Sequence, residues 1–378
     1  VHSMTGSVDV TVPPNMVGYF VAVFEAVDGA GQSSLYTIAF DVFPDVLFVD
    51  ADATGSGSGL SWSDAIPLLQ DALALGGEGY DIWVAEGVHL PDTGGGRTDD
   101  DPDSTFLLSG DVGVYGGFAG NETLLASRDP AAHRTILSGD LALDDLDADG
   151  NRLAESADDL VGTNARTVVT ASNVVAESVL NGFWITGGDG RGHNDGGGLF
   201  ASGGTPVIRG CRFMGNTAAN GGAISLTNAG PLQIDDCGFS GNSGEGGYAN
   251  GGAIHLESTA AELHRCRFFR NQGSGGGALY AHGSDLELTA STFHGNAGTR
   301  GGAIHLNKGT ATLRNCLLHG NVANSGGAID NFAESFAANH CTFTGNVAWE
   351  FSGAVANSDP SGEDYPANYT HCILWNNQ

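Results

Sequence analysis

Two short motifs recur in step along the C-terminal half of the chain, and their common phase restricts the fold more than any other feature. Gly-Gly-Ala-Ile stands at 221–224, 251–254, 301–304 and 326–329, with variants starting at Gly196, Gly276 and Ser352. Successive copies lie 25, 30, 25, 25, 25 and 26 residues apart. Cys-x-Phe-x-x-Asn keeps the same step, starting at Cys211, Cys237, Cys266, Ser291, Cys316, Cys341 and Cys372, with Leu for Phe at 318 and 374. Each copy ends on an asparagine: Asn216, Asn242, Asn271, Asn296, Asn321, Asn346 or Asn377. A period of this length marks a solenoid in which one repeat is one winding.

Within a repeat, apolar residues alternate over short stretches such as Ala303-Ile304-His305-Leu306, and Gly, Asn and Ser separate them. That is strand and turn chemistry. Three short strands and three turns use up about 25 residues and close a triangular coil. Coils stacked about 4.8 Å apart place equivalent residues in columns. The expected fold is all-β, a single-stranded parallel β-helix. Ile224, Ile254, Leu279, Ile304, Ile329 and Val355 then stack inward, as do Phe213, Phe239, Phe268, Phe293, Leu318, Phe343 and Leu374. The asparagines form an inward ladder of amides, and the paired glycines serve a corner that needs positive φ. The six cysteines fall in one inward column, where parallel Cβ vectors favour reduced thiols and leave disulfides as the alternative.

Composition narrows the partners. Among 378 residues, 60 are Gly, so long helices are disfavoured. Lys and Arg number 14 against 44 Asp and Glu, a net charge of −30, which repels nucleic acid and anionic membrane surfaces. No apolar run is long enough to span a bilayer. The opening at Val1 reads as a mature form or an excerpt of a longer chain.

The N-terminal half is less regular. Residues 45–181 read as earlier coils with a capping helix over 63–75, carried by Ile66, Leu69, Ala72 and Leu73 and capped by Ser63 or Asp64. Such a helix would cover the open end of a solenoid. Residues 1–44 hold a β-hairpin pattern around Asp28-Gly29. Residues 182–378 carry the regular repeats.

The Gly-Gly-Ala-Ile and Phe-x-x-Asn motifs over 182–378 resemble the repeats of chlamydial polymorphic outer-membrane proteins and of the wider right-handed β-helix proteins of bacterial surfaces. That resemblance implies a single-stranded right-handed parallel β-helix of the pectin-lyase-like kind and a secreted, adhesin-like setting, not a chemistry. Phe48-Val49-Asp50-Ala51-Asp52, Tyr115-Gly116-Gly117-Phe118 and Leu137-Ser138-Gly139-Asp140 resemble the opening module of secreted bacterial β-helix proteins. The hairpin of 1–44 resembles the last strands of an immunoglobulin-like module of the PKD or HYR sort.

Several residues are candidates for chemistry. Outward positions beside the Gly-Gly-Ala-Ile strand gather His255, Glu257, Tyr280, His282, His305 and Asp330 within about 15 Å on one flat sheet, able to bind a glycan or, in an enzyme, to supply His255, Glu257, His305 and Asp330. A second stripe, Met214, Phe269, His294, His319 and Trp375, can stack on sugar rings. Asp145, Asp147, Asp149 and Asn151 have the alternating oxygens of a calcium loop within the acidic segment 140–160, with Asp158 closing the shell. The run Asp99-Asp100-Asp101-x-Asp103 reads as solvated surface. Paired carboxylates occur at Asp158-Asp159 and Asp235-Asp236, but the Gly-His-Gly and Arg-x-Lys that a resemblance to polygalacturonases would require are absent, and only Arg166 and Arg191 near the acidic segment suit a base. The sequence thus points to a secreted structural or adhesive protein that presents flat faces to glycan, to a cell-surface component or to itself. A β-helix lyase or hydrolase, or a filament subunit, are the alternatives.

Overall fold

The computed structural model describes residues 18–27, 30–42, 46–75, 80–175, 178–193, 196–246, 249–357 and 365–378. From Val46 onward the chain winds into a parallel β-helix with three sheets, of 18, 10 and 7 strands among the described residues. The first sheet holds the Gly-Gly-Ala-Ile strands and the strands that follow them, which run on as single strands at Leu279–Thr289 and Ile304–Arg314. The second holds the Cys-x-Phe strands, from Gly87–His89 to Ile373–Trp375, and the third the short strands after the asparagines. Residue-for-residue register carries Ile224 onto Ile254, Leu279, Ile304 and Ile329. Phe183–Thr186 pairs with Thr135–Ser138 on one side and Arg212–Met214 on the other, so the early coils and the regular repeats form one continuous stack.

The columns point where the alternation places them. Phe213, Phe239, Phe268 and Phe293 stack face to face at 5.2, 4.8 and 4.4 Å and are buried. Each such ring contributes about 1.5–3 kcal/mol through removal from water. Leu374, in the outermost strand of that sheet, is half exposed. Each asparagine amide from Asn216 to Asn346 donates to the next Oδ1, at 2.8–3.1 Å, and to a backbone carbonyl such as Phe268 O. No donor of the ladder is wasted, which is why amides rather than carboxylates fill the column. The corner glycines Gly221, Gly251, Gly276, Gly301 and Gly326 all have φ of 59–72°, and a Cβ there would overlap the carbonyl of the following Ile or Leu. The six cysteines are free thiols; five are buried, and each Sγ lies 3.3–3.4 Å from the carbonyl two residues earlier.

The capping helix is shorter than the apolar pattern suggests. Trp62–Asp64 is a 3-10 turn closed by the Ser61 hydroxyl, and the α-helix covers only Leu69–Leu75. Pro67 explains the break, because the residue before a proline is pushed out of helical space. Ile66 instead forms a parallel bridge with Val49 and is buried with Leu69 and Ala72. Ahead of the solenoid, Gly18–Val27 and Ser33–Val42 pair antiparallel, Val27 opposite Ser33; the expected Asp28-Gly29 turn lies outside the described residues.

Candidate functional site

The outward column beside the isoleucines assembles as its register requires. His255, Tyr280, His305 and Asp330 are direct neighbours on successive strands, as are Glu257, His282, Asn307 and Phe332. His255 stacks parallel on Tyr280 at 5.5 Å, Tyr280 meets His305 edge-on at 5.2 Å, and His305 leans on Phe332 at 5.7 Å. The expectation of an open flat sheet does not hold. His255 is 4% exposed, His305 5% and Asp330 1%. The third sheet runs back along this face: Ser325 donates to Asp330 Oδ1 at 3.0 Å, and Arg300 lies 5.3 Å over the Phe332 ring.

Burial sets the electrostatics. Desolvation holds the His305 imidazole down at about 3, with Arg300 and His282 adding to it, and His255 at about 4. Among the described residues, neither ring nitrogen of His305 has a hydrogen-bond partner. Burial also lifts the Asp330 carboxyl to about 6, against the opposing pull of the Ser325 hydroxyl and Arg300. Its Oδ2 is buried and unpaired. The column is therefore neutral histidine beside a carboxyl poised near neutrality, shielded from water.

That carboxyl reaches a cleft. A space of about 110 Å³ opens along the margin of the buried face, lined by Arg300, Ser325, Asp330, Phe332, Glu350 and Phe351. Arg300, Ser325 and Phe351 are register partners in the third sheet, each directly or nearly before a corner glycine. Reading the column ahead of the glycines, as well as the one behind them, would have found these three. The strand Val347–Phe351 adds Trp349, 74% exposed.

Residues 160–362, more than half of the chain, match the family described as a right handed beta helix region. The chain belongs to the right-handed β-helix family. No curated protein and no solved structure matches it. Among the described residues of this β-helix, no helix is long and apolar enough to cross a membrane.

The β-helix carries its second stripe on the Cys-x-Phe sheet, away from the histidine column. Met214, Ser240, Phe269, His294, His319, Thr344 and Trp375 share one register. Phe269 stacks on His294 at 5.4 Å and His294 on His319 at 4.0 Å; Trp375 is exposed at the outer edge.

The acidic segment is an insertion between Thr135–Ser138 and Val169–Val174. Asp145 converges with Asp140 and Asp144, whose carboxylate oxygens lie within 4.8 Å of one another, and not with the expected partners. Asp147 accepts the amides of Asn151 and Arg152, Asp149 accepts from Asn151, and Asn151 Nδ2 also donates to Glu155. These bonds shape the turn. Asp158 is exposed on the 3-10 turn Ala157–Asp159, which Ser156 and Asp159 close as a capping box. The remaining polar candidates are ion pairs at the surface: Arg265 with Asp236, Arg209 with Asp235, Arg191 with Asp189, and Arg166 with Asp103.

Proposed function

We propose that this right-handed β-helix is an extracellular structural or adhesive protein that holds a neutral glycan in the cleft between Arg300 and Phe351. The observation that carries the reading is the composition of that cleft. Phe332 and Phe351 offer apolar faces for the C–H side of a sugar ring, Arg300, Ser325 and Glu350 supply donors and acceptors for its hydroxyls, and buried Asp330 holds the Ser325 hydroxyl from behind. The rigid stack behind it fixes these groups without help from a ligand. A net charge of −30 argues against polyuronates and for neutral sugars. A glycan array probed with the purified chain tests the reading: retention of neutral oligosaccharides without their cleavage supports it, and an empty array contradicts it.

One observation favours a second reading, a glycoside hydrolase. Asp330 keeps its proton to about 6 and shares the cleft with Glu350, so an acid and a second carboxyl line the same space. Release of reducing ends from a bound oligosaccharide, abolished by Asp330→Asn, would select it.

A further inference from the structure

We propose that Asp92, Asp99 and Asp100 form a binding site for a hard divalent cation, Ca²⁺, in the loop that leads from Gly87–His89 to Phe106–Gly110. One carboxylate oxygen from each residue lies within 4.8 Å of the other two. Three carboxylates at that separation repel one another, and a cation coordinated by oxygen alone is the partner they suit; no nitrogen or sulfur ligand stands in the group.

The second observation concerns Asp92. It is only 3% exposed, its Oδ2 accepts the Asp100 amide at 2.9 Å, and its Oδ1 is buried without a hydrogen-bond partner among the described residues. A buried carboxylate oxygen lacking a donor is costly unless something electropositive meets it. A second acidic cluster, around Asp140, makes the contrast. Asp140 is also buried, but its two oxygens accept the amides of Asp144 and Asp145, and those of Asp145 accept Val161 N and Asn164 Nδ2. Of the two clusters, only the Asp92 group contains a buried carboxylate oxygen with no hydrogen-bond donor among the described residues.

The site joins residues that the sequence reads as plain solvated surface, and it would pin an otherwise irregular loop to the second sheet. Asp99 and Asp100 are exposed, and Asn keeps both the amide that Asp100 donates and its tolerance of the left-handed φ of 57° there. The double variant Asp99→Asn/Asp100→Asn therefore keeps the fold. The test is calorimetric titration of Ca²⁺ into the full chain after chelator treatment, with Asp144→Asn as the comparison. The expected result is that the double variant loses one equivalent of bound Ca²⁺, or binds it at least about tenfold more weakly, and that its Ca²⁺-dependent rise in Tm shrinks. Asp144→Asn retains that equivalent. Absence of Ca²⁺ binding in the parent chain, unchanged binding in the double variant, or loss confined to Asp144→Asn overturns the proposal.

Discussion

Asn296 Nδ2 donates to Asn321 Oδ1 at 2.9 Å, and through it the amide ladder passes unbroken from one winding to the next. The same side chain donates to Phe268 O and accepts from both the backbone and the side chain of Asn271. Asn296→Ala leaves a buried carbonyl and two buried donors unsatisfied, at about 1–3 kcal/mol each. A large fall in the denaturant midpoint is expected. A midpoint within experimental error of the parent would mean that the ladder is decorative.

Glycines at the corners and in the turns before the asparagines differ in a way that substitution exposes. Gly301 and Gly345 have nearly the same φ, 60° and 63°, yet a Cβ on Gly301 overlaps Ile304 O whereas one on Gly345 meets nothing within 4 Å. Gly345→Ala should cost about 1–2 kcal/mol for the left-handed conformation alone. Gly301→Ala should cost more than about 3 kcal/mol, because the backbone of the next strand must move as well. Thermal unfolding of the two variants side by side checks the ordering.

The buried column makes stability depend on pH in two opposite senses. The folded protein holds the Asp330 proton to about 6, above the ordinary 3.8, so this group's contribution is present at low pH and is lost as pH rises from about 4 to 6. In the same column His255 and His305 sit at about 4 and 3, below the ordinary 6.5, and so does His89, buried in the second sheet, at about 4, so their contribution is present above 6.5 and is lost as pH falls toward those values. A tenfold change in proton affinity between the unfolded and folded chain is worth about 1.4 kcal/mol. Asp330→Asn should flatten the loss on the alkaline side and leave the acid-side loss intact, as read from urea midpoints between pH 4 and 7.

Columns were legible in the sequence because a repeat displays its register directly: once Ile224 and Ile254 are aligned, the positions of His255, Tyr280 and His305 follow. What covers those columns was not legible. Closure of the face depends on Ser325 and Arg300 arriving from a different side of the coil, and no periodicity within one strand announces that. Irregular segments hide more. Pro67 shortens the helix by a local steric effect that the apolar spacing masks, and Asp145 meets Asp140 through an insertion that no repeat predicts.

Thiol chemistry separates the two arrangements that the sequence alone leaves open for the cysteine column. Cys211, Cys237, Cys266, Cys316 and Cys341 are buried and Cys372 is half-exposed; burial pushes the Cys266 thiol up to about 12. Without reductant, the native chain should release about one equivalent of chromophore from a thiol-exchange reagent, and the unfolded chain all six. Fewer than six on unfolding would mean disulfides.

The central claim is that ligand recognition resides in the cleft beside Asp330 and not on the exposed aromatic stripe of the opposite sheet. Calorimetric titration of a neutral oligosaccharide, chosen from the array, into the parent chain, Phe351→Ala and Trp375→Ala addresses it most directly. Phe351 and Trp375 are both exposed, so neither variant should disturb the fold. Loss of binding in Phe351→Ala with binding retained in Trp375→Ala is the predicted result; the reverse pattern, or equal binding by all three, would contradict it.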